Sequence, residues 1–132
     1  SPAAALEAHE ACGCSPLRLA VALRDVQHKD YPAFLAAMKA HEEKKRETHE
    51  KSPAWNAQMG AIAALEGDAA AASAYYTKAM DYGGRNGFFQ ERFFETVLPD
   101  DPRMDALFER MRRLIDAERA SLGLPPLARA KG

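Results

Sequence analysis

Two adjacent helical patterns between residues 53 and 82 constrain this chain most. Ser52 is a favourable N-cap, and Pro53 stands at the first helical position, where its missing N–H costs nothing. Gly67 is the preferred kind of residue just past a helix end, and Asp68 then caps a second helix. We therefore predict two short helices that fold back on each other at this turn.

Small residues occur where the two backbones must approach. Gly60 and Ala64 lie in the first helix, and Ala69 and Ala72 lie in the second. Glycine in a helix interior costs about 1 kcal/mol relative to alanine, which predicts a packing role for Gly60. The apolar residues of the second helix recur at intervals of three and four: Ala72, Tyr75, Tyr76, Ala79 and Met80.

This stretch resembles the tetratricopeptide-repeat family, whose pattern is W-x2-L-G-x2-Y, then A-x3-F, then P. Met59 and Gly60 occupy the L-G pair, while Ala72 and Tyr76 occupy the A-x3-F pair. The chain departs from the pattern at four places: Trp55 precedes the aromatic slot, Asn56 fills it, Ala63 replaces the tyrosine, and Gly84 falls near the proline.

The resemblance implies an all-α fold of antiparallel hairpins, stacked as a short right-handed solenoid of about six helices. We expect one domain over residues 1–126 and a flexible tail over 127–132. It also implies a non-catalytic module that binds a protein, a peptide or another domain of its parent chain.

Helical patterns continue toward the N-terminus. We predict a short helix from Ser1 to about Ala11, a second over 16–26, and a third from Tyr31. Asp68 lies 38 residues after Asp30, the matching turn residue. This offset exceeds the 34 residues of a standard repeat, so the unit is a lengthened one.

Residues 41–51 are charged on every face. We interpret them as a solvated helix end, supported by the i,i+4 pairs Glu42–Arg46 and Glu47–Lys51. The alternative is a charged arm that contacts a partner.

The C-terminal third contains a loop at 83–87, a short apolar helix over 88–98 and a long helix over 102–122. Residues 78–119 resemble the closing segment of tetratricopeptide regions in bacterial signalling proteins. That resemblance implies a regulatory domain of a larger regulator. The long helix carries an apolar stripe: Met104, Leu107, Phe108, Met111, Leu114, Ile115 and Leu122.

The first helix of each hairpin lines the concave side of such a solenoid. In the central hairpin this predicts a groove lined by small, mostly apolar residues, suited to an apolar helix or strand. An alternative is that the C-terminal helix fills this groove. The predicted groove residues are Ala54, Ala57, Gln58, Ala61 and Ala64.

The charge balance argues against nucleic acid as a partner. Eighteen Lys and Arg residues face 19 Asp and Glu residues, giving a net charge of −1, whereas nucleic-acid binding normally needs a basic face. No apolar run reaches the length of a membrane-spanning helix, and no signal peptide is present, so we expect a cytoplasmic protein without membrane contact. The chain begins at Ser1 without methionine, which suggests a piece of a longer protein.

The chemically reactive residues form only weak patterns. His9, Cys12 and Cys14 are close in sequence, but a zinc site commonly pairs C-x2-C with a second pair, and the chain has no second pair. We expect ordinary thiols, no cofactor and no enzymatic activity. Two alternatives stay open: self-association as a homodimer, and ligand or metal sensing by these three residues.

Overall fold

The computed structural model describes residues 1, 4, 5, 7, 8, 16–85 and 91–127, and for residues 91 and 92 it describes the backbone alone. No strand occurs among the described residues, which confirms the predicted all-α class. Seven helices have defined bounds, compared with the predicted total of about six. They are α1 (Pro16–Asp25), α2 (Tyr31–Glu43), α3 (Arg46–His49), α4 (Pro53–Leu65), α5 (Ala69–Asp81), α6 (Glu91–Val97) and α7 (Pro102–Ser121).

The chain divides into two compact units, Ser1–Glu50 and Lys51–Gly132. The first contains α1 to α3, and the second contains α4 to α7. The predicted N-terminal helix is described only in part, and the described helical residues are Ala4, Ala5, Glu7 and Ala8. The Ser1 hydroxyl accepts a hydrogen bond from the Ala4 N–H. The other residues of this predicted helix lie outside the described residues.

In the first unit α1 and α2 pack against each other. Ala20, Phe34 and Met38 are buried, at 0 to 2% exposure. The turn after α1 is a Schellman motif, in which the His28 N–H donates to Leu23 O and the Gln27 N–H donates to Arg24 O. Its left-handed residue is Gln27, at φ 52°, where glycine is the usual choice.

The charged segment is helical only in part. The backbone turns at residues 44 and 45 between α2 and the one-turn helix α3. Glu43 accepts two hydrogen bonds of 2.8 Å from the Arg46 guanidinium, and these lower the pKa of Glu43. Glu42 lies 3.6 Å from Lys45. Both of these pairs span three residues, against the predicted spacing of four.

Side-chain caps begin three helices of the second unit. Ser52 Oγ accepts from the Trp55 N–H, Asp68 Oδ1 from the Ala71 N–H, and Asp101 Oδ1 from the Arg103 N–H. Each cap satisfies a backbone donor that has no partner inside its helix. The predicted starts of α4, α5 and α7 are thereby confirmed.

Helices α4 and α5 form the predicted antiparallel hairpin, with Gly67 at φ 79° in its turn. Gly60 is buried against the ring of Tyr76. A Cβ atom at Gly60 would lie 2.5 Å from Tyr76 Cε2 and nearer still to Cδ2, closer than real Cβ contacts allow. At the open end, a Cβ on Gly84 would lie 2.9 Å from Pro53 Cβ. Glycine at 60 and 84 therefore sets how closely the helices approach.

An aromatic cluster joins this hairpin to α6 and α7. Tyr76 meets Phe94 edge-on at 4.7 Å between ring centroids and lies 6.5 Å from Phe108. Asp81 pairs with Arg110 at 3.1 Å, and Arg85 pairs with Glu118 at 2.8 Å. Residues that come later in α5, or just after it, contact residues that come later in α7, so the two helices run in the same direction.

We predict that Gln27→Gly raises the free energy of unfolding by about 0.5–1 kcal/mol. Glycine adopts the left-handed conformation without the steric cost of a Cβ. Relief of that steric cost exceeds the larger loss of chain entropy that glycine undergoes on folding. The opposite change, Gly67→Gln, introduces that cost at the matching turn and is expected to destabilise by about 1 kcal/mol. Urea unfolding followed by circular dichroism measures both changes, and equal signs for the two would contradict this account of the turns.

Candidate protein-binding surface

The predicted groove residues lie along one side of α4 but differ in accessibility. Ala54 is exposed, and Ala57 and Gln58 are partly exposed. Ala61 and Ala64 are each 1% exposed. The accessible part of this surface is therefore the N-terminal half of α4, and we call Ala54, Ala57 and Gln58 the α4 patch.

The C-terminal half of α4 is buried on every side. All seven residues from Met59 to Leu65 are buried, which means that each face of the helix is covered. Ala61 and Ala64 consequently cannot contact a partner in this conformation. A pattern of small apolar residues in the sequence does not distinguish a groove lining from a core of this kind.

Neighbouring core residues hold the α4 patch in place. Trp55 is 4% exposed and meets Tyr75 edge-on at 6.2 Å between ring centroids. Asn56 is 1% exposed, and its Nδ2 donates to Ser52 O at 2.8 Å. These contacts anchor the first turns of α4, so the patch is presented on a rigid helix.

The α4 patch offers methyl groups and one amide and carries no charge. Such a surface can bury apolar side chains, with Gln58 available to accept or donate a hydrogen bond. It has no cation to bind a carboxylate or phosphate.

The long helix α7 follows its predicted stripe only in part. Met104, Leu107, Phe108 and Met111 are buried, at 1 to 5% exposure. Leu114 and Ile115 are partly buried, and Leu122 is 76% exposed. The ring and ion-pair contacts described for α7 reach α5 and α6. The stripe therefore continues beyond the packed part of the helix.

Sequence reasoning missed the role of Arg85, which it considered only as part of a glycine-rich loop. Its Nη1 donates to Met80 O and Gly84 O at the end of α5. Its Nε and Nη2 donate to Glu118 Oε1 at 3.1 and 2.8 Å. Arg85 thus caps α5 and ties it to α7, although 33 residues separate Arg85 from Glu118 and no local pattern links them.

The weak metal candidates His9, Cys12 and Cys14 lie outside the described residues. Elsewhere, within 16–85 and 91–127, no three His, Cys, Asp or Glu side chains are grouped so that they can hold a metal ion. Over those same ranges no helix combines the length and apolarity needed to cross a membrane.

No protein family, curated protein or solved structure matches this chain.

We predict opposite outcomes for two glutamate substitutions on α4. Ala61→Glu buries a carboxylate without a partner and is expected to abolish cooperative folding or to cost several kcal/mol. Ala57→Glu leaves the carboxylate in water and is expected to change stability by less than about 1 kcal/mol. Thermal unfolding compares the two directly, and similar stability of both variants would contradict the burial of Ala61.

Proposed function

We propose that this chain is a non-catalytic, tetratricopeptide-like interaction domain that belongs to a larger bacterial signalling protein. In this proposal its hairpins stack as a short right-handed solenoid, and the α4 patch binds a partner protein or another domain of the parent chain. The sequence resemblance motivates the family and the bacterial setting.

The observation that carries the proposal is the contact between Gly60 and Tyr76. These residues occupy the glycine of the L-G pair and the aromatic of the A-x3-F pair in the family pattern. The direct approach of the Gly60 backbone to the Tyr76 ring is what a helical hairpin needs in order to close tightly at that point.

The direction of the helices supports a repeated hairpin. Helices α4 and α6 are each followed by a partner, α5 and α7, and the two partners run in the same direction. In stacked hairpins, equivalent helices of neighbouring units are parallel in this way. The pair α6–α7 would then be a second hairpin of the repeat, with a shortened first helix of seven residues.

The chemistry of the α4 patch indicates the kind of partner. Two alanines and a glutamine are suited to an uncharged, apolar face of a helix or strand, which gains free energy by leaving water. Charged termini and phosphate groups would find no counter-ion among these three residues.

Self-association is a second candidate, favoured by two exposed leucines near the end of the described chain. Leu122 and Leu124 are 76% and 46% exposed, and burial of such side chains against a second copy would be favourable. Sedimentation over a range of concentrations tests this candidate, and a strictly monomeric species at the highest concentration would remove it.

The interaction proposal is tested by quantitative capture of partners with this chain as bait, in lysate of the cells that encode it. The double variant Ala54→Glu/Ala57→Glu adds two charges to the α4 patch, and we expect at least a tenfold loss of the captured partner. Desolvation of an unpaired carboxylate in an apolar interface is the reason.

The matched control is Ala70→Glu/Ala74→Glu, which places the same two charges on exposed positions of α5. Capture by this control is expected to equal capture by the unmodified chain. Equal loss in both variants, or no loss in either, would contradict a binding role for the α4 patch.

A further inference from the structure

After α7 ends, the chain turns back toward that helix. The Gly123 N–H donates to Ala120 O, and the Leu124 N–H donates to Arg119 O. These two bonds, with Gly123 at φ 75°, form a Schellman motif, which ends the helix and redirects the chain. We call residues 122–127 the C-terminal strap.

Two charged side chains of α7 hold the strap against the helix. Arg119 Nε donates to Pro125 O at 2.7 Å. Asp116 Oδ1 accepts from the Leu127 N–H at 3.1 Å, and Leu127 is partly buried. The strap backbone is therefore bound on both sides of Pro126.

The backbone of the strap is extended at its prolines. Residues 124–127 contain no helix and no turn. A proline fixes its own φ at about −65° and disfavours the helical conformation in the residue before it. Pro125 is subject to both restrictions, because Pro126 follows it, and Leu124 is subject to the second. The sequence and the two bonds to α7 thus favour one polyproline II conformation.

Apolar surface is concentrated on the strap. Leu122 and Leu124 are 76% and 46% exposed, and both prolines of the strap are exposed as well. Over the described residues, the other large hydrophobic side chains with comparable exposure are Val26 and Tyr82, which lie on other elements. A local concentration of this kind is typical of an interaction site.

The polar groups left on the strap are hydrogen-bond acceptors. In the described part of the chain no hydrogen bond reaches the carbonyl oxygens of Leu124 and Pro126. The two prolines have no N–H, and the N–H groups of Leu124 and Leu127 are already bonded. A partner must consequently offer apolar surface together with hydrogen-bond donors.

We propose that the C-terminal strap binds a partner protein in a groove lined by tryptophan and tyrosine side chains. Such side chains combine a flat apolar ring, which packs on proline, with an N–H or O–H donor for a carbonyl oxygen. Because Asp116 and Arg119 already hold the backbone in place, the partner has less chain entropy to overcome on binding.

The described part of a second copy does not offer such a groove. Trp55 is the one tryptophan of the chain and is 4% exposed. Among the described aromatic residues, only Tyr82 is exposed. The occupant is therefore a different protein. The strap is also distinct from the α4 patch, so this inference and the proposed function can fail separately.

The test is an NMR titration of the full chain with SH3, WW and EVH1 domains, added one at a time as probes with aromatic grooves. We expect saturable binding by at least one domain, with shifts of backbone amides confined to residues 116–127. The variant Pro125→Ala/Pro126→Ala is expected to weaken that binding by about tenfold or more, because it removes both the proline rings and the restriction to an extended backbone.

A second variant tests the role of α7 in holding the strap. Asp116→Ala/Arg119→Ala leaves the strap sequence unchanged and removes both side-chain bonds, so we expect binding to weaken by about threefold or more through lost pre-organisation. The matched control is Asp105→Ala/Arg113→Ala, which removes the same two residue types from exposed positions of α7. Its binding is expected to equal that of the unmodified chain.

Four outcomes would overturn the proposal. They are no binding by any of the domains, equal binding after both prolines are replaced, equal weakening by the two α7 variants, and shifts scattered outside the strap and the end of α7. Sedimentation that shows a dimer dependent on Pro125 and Pro126 would likewise assign the strap to a second copy instead. The amide spectrum of each variant alone verifies that the fold is kept.

Discussion

The second unit depends on a contact between a backbone and a ring. At Gly60 the α4 backbone lies so close to Tyr76 that no further carbon fits between them. Tyr76 in turn touches Phe94 and Phe108, so one fully buried ring connects all four helices of the unit. A shift of this ring to make room at Gly60 would disturb the packing of α6 and α7. Burial also raises the pKa of the Tyr76 hydroxyl, which keeps the ring uncharged.

This arrangement determines which part of α4 a partner can reach. The core around Tyr76 covers the C-terminal half of α4 and leaves Ala54, Ala57 and Gln58 accessible. The α4 patch thus lies on a helix whose position is fixed by packing, which limits the entropy that a partner must overcome on binding.

Local signals predicted the hairpin well. Ser52, Gly67 and Asp68 act through hydrogen bonds and backbone angles within a few residues, so their roles can be inferred from sequence. The accessibility of individual side chains was harder to predict, because it depends on elements that are distant in the chain. Ala61 is predicted for a groove yet is buried, and Leu122 continues an apolar stripe yet is exposed.

The central claim is tested most directly by the stability of Gly60→Ala, alone and combined with Tyr76→Leu. Alanine is the better helix former by about 1 kcal/mol, so propensity alone predicts stabilisation. Our account predicts the opposite: Gly60→Ala lowers the free energy of unfolding by about 1–2 kcal/mol, because the added methyl group overlaps the Tyr76 ring. In the Tyr76→Leu background the same substitution should become neutral or stabilising. A Gly60→Ala variant that is more stable than the unmodified chain would contradict the account.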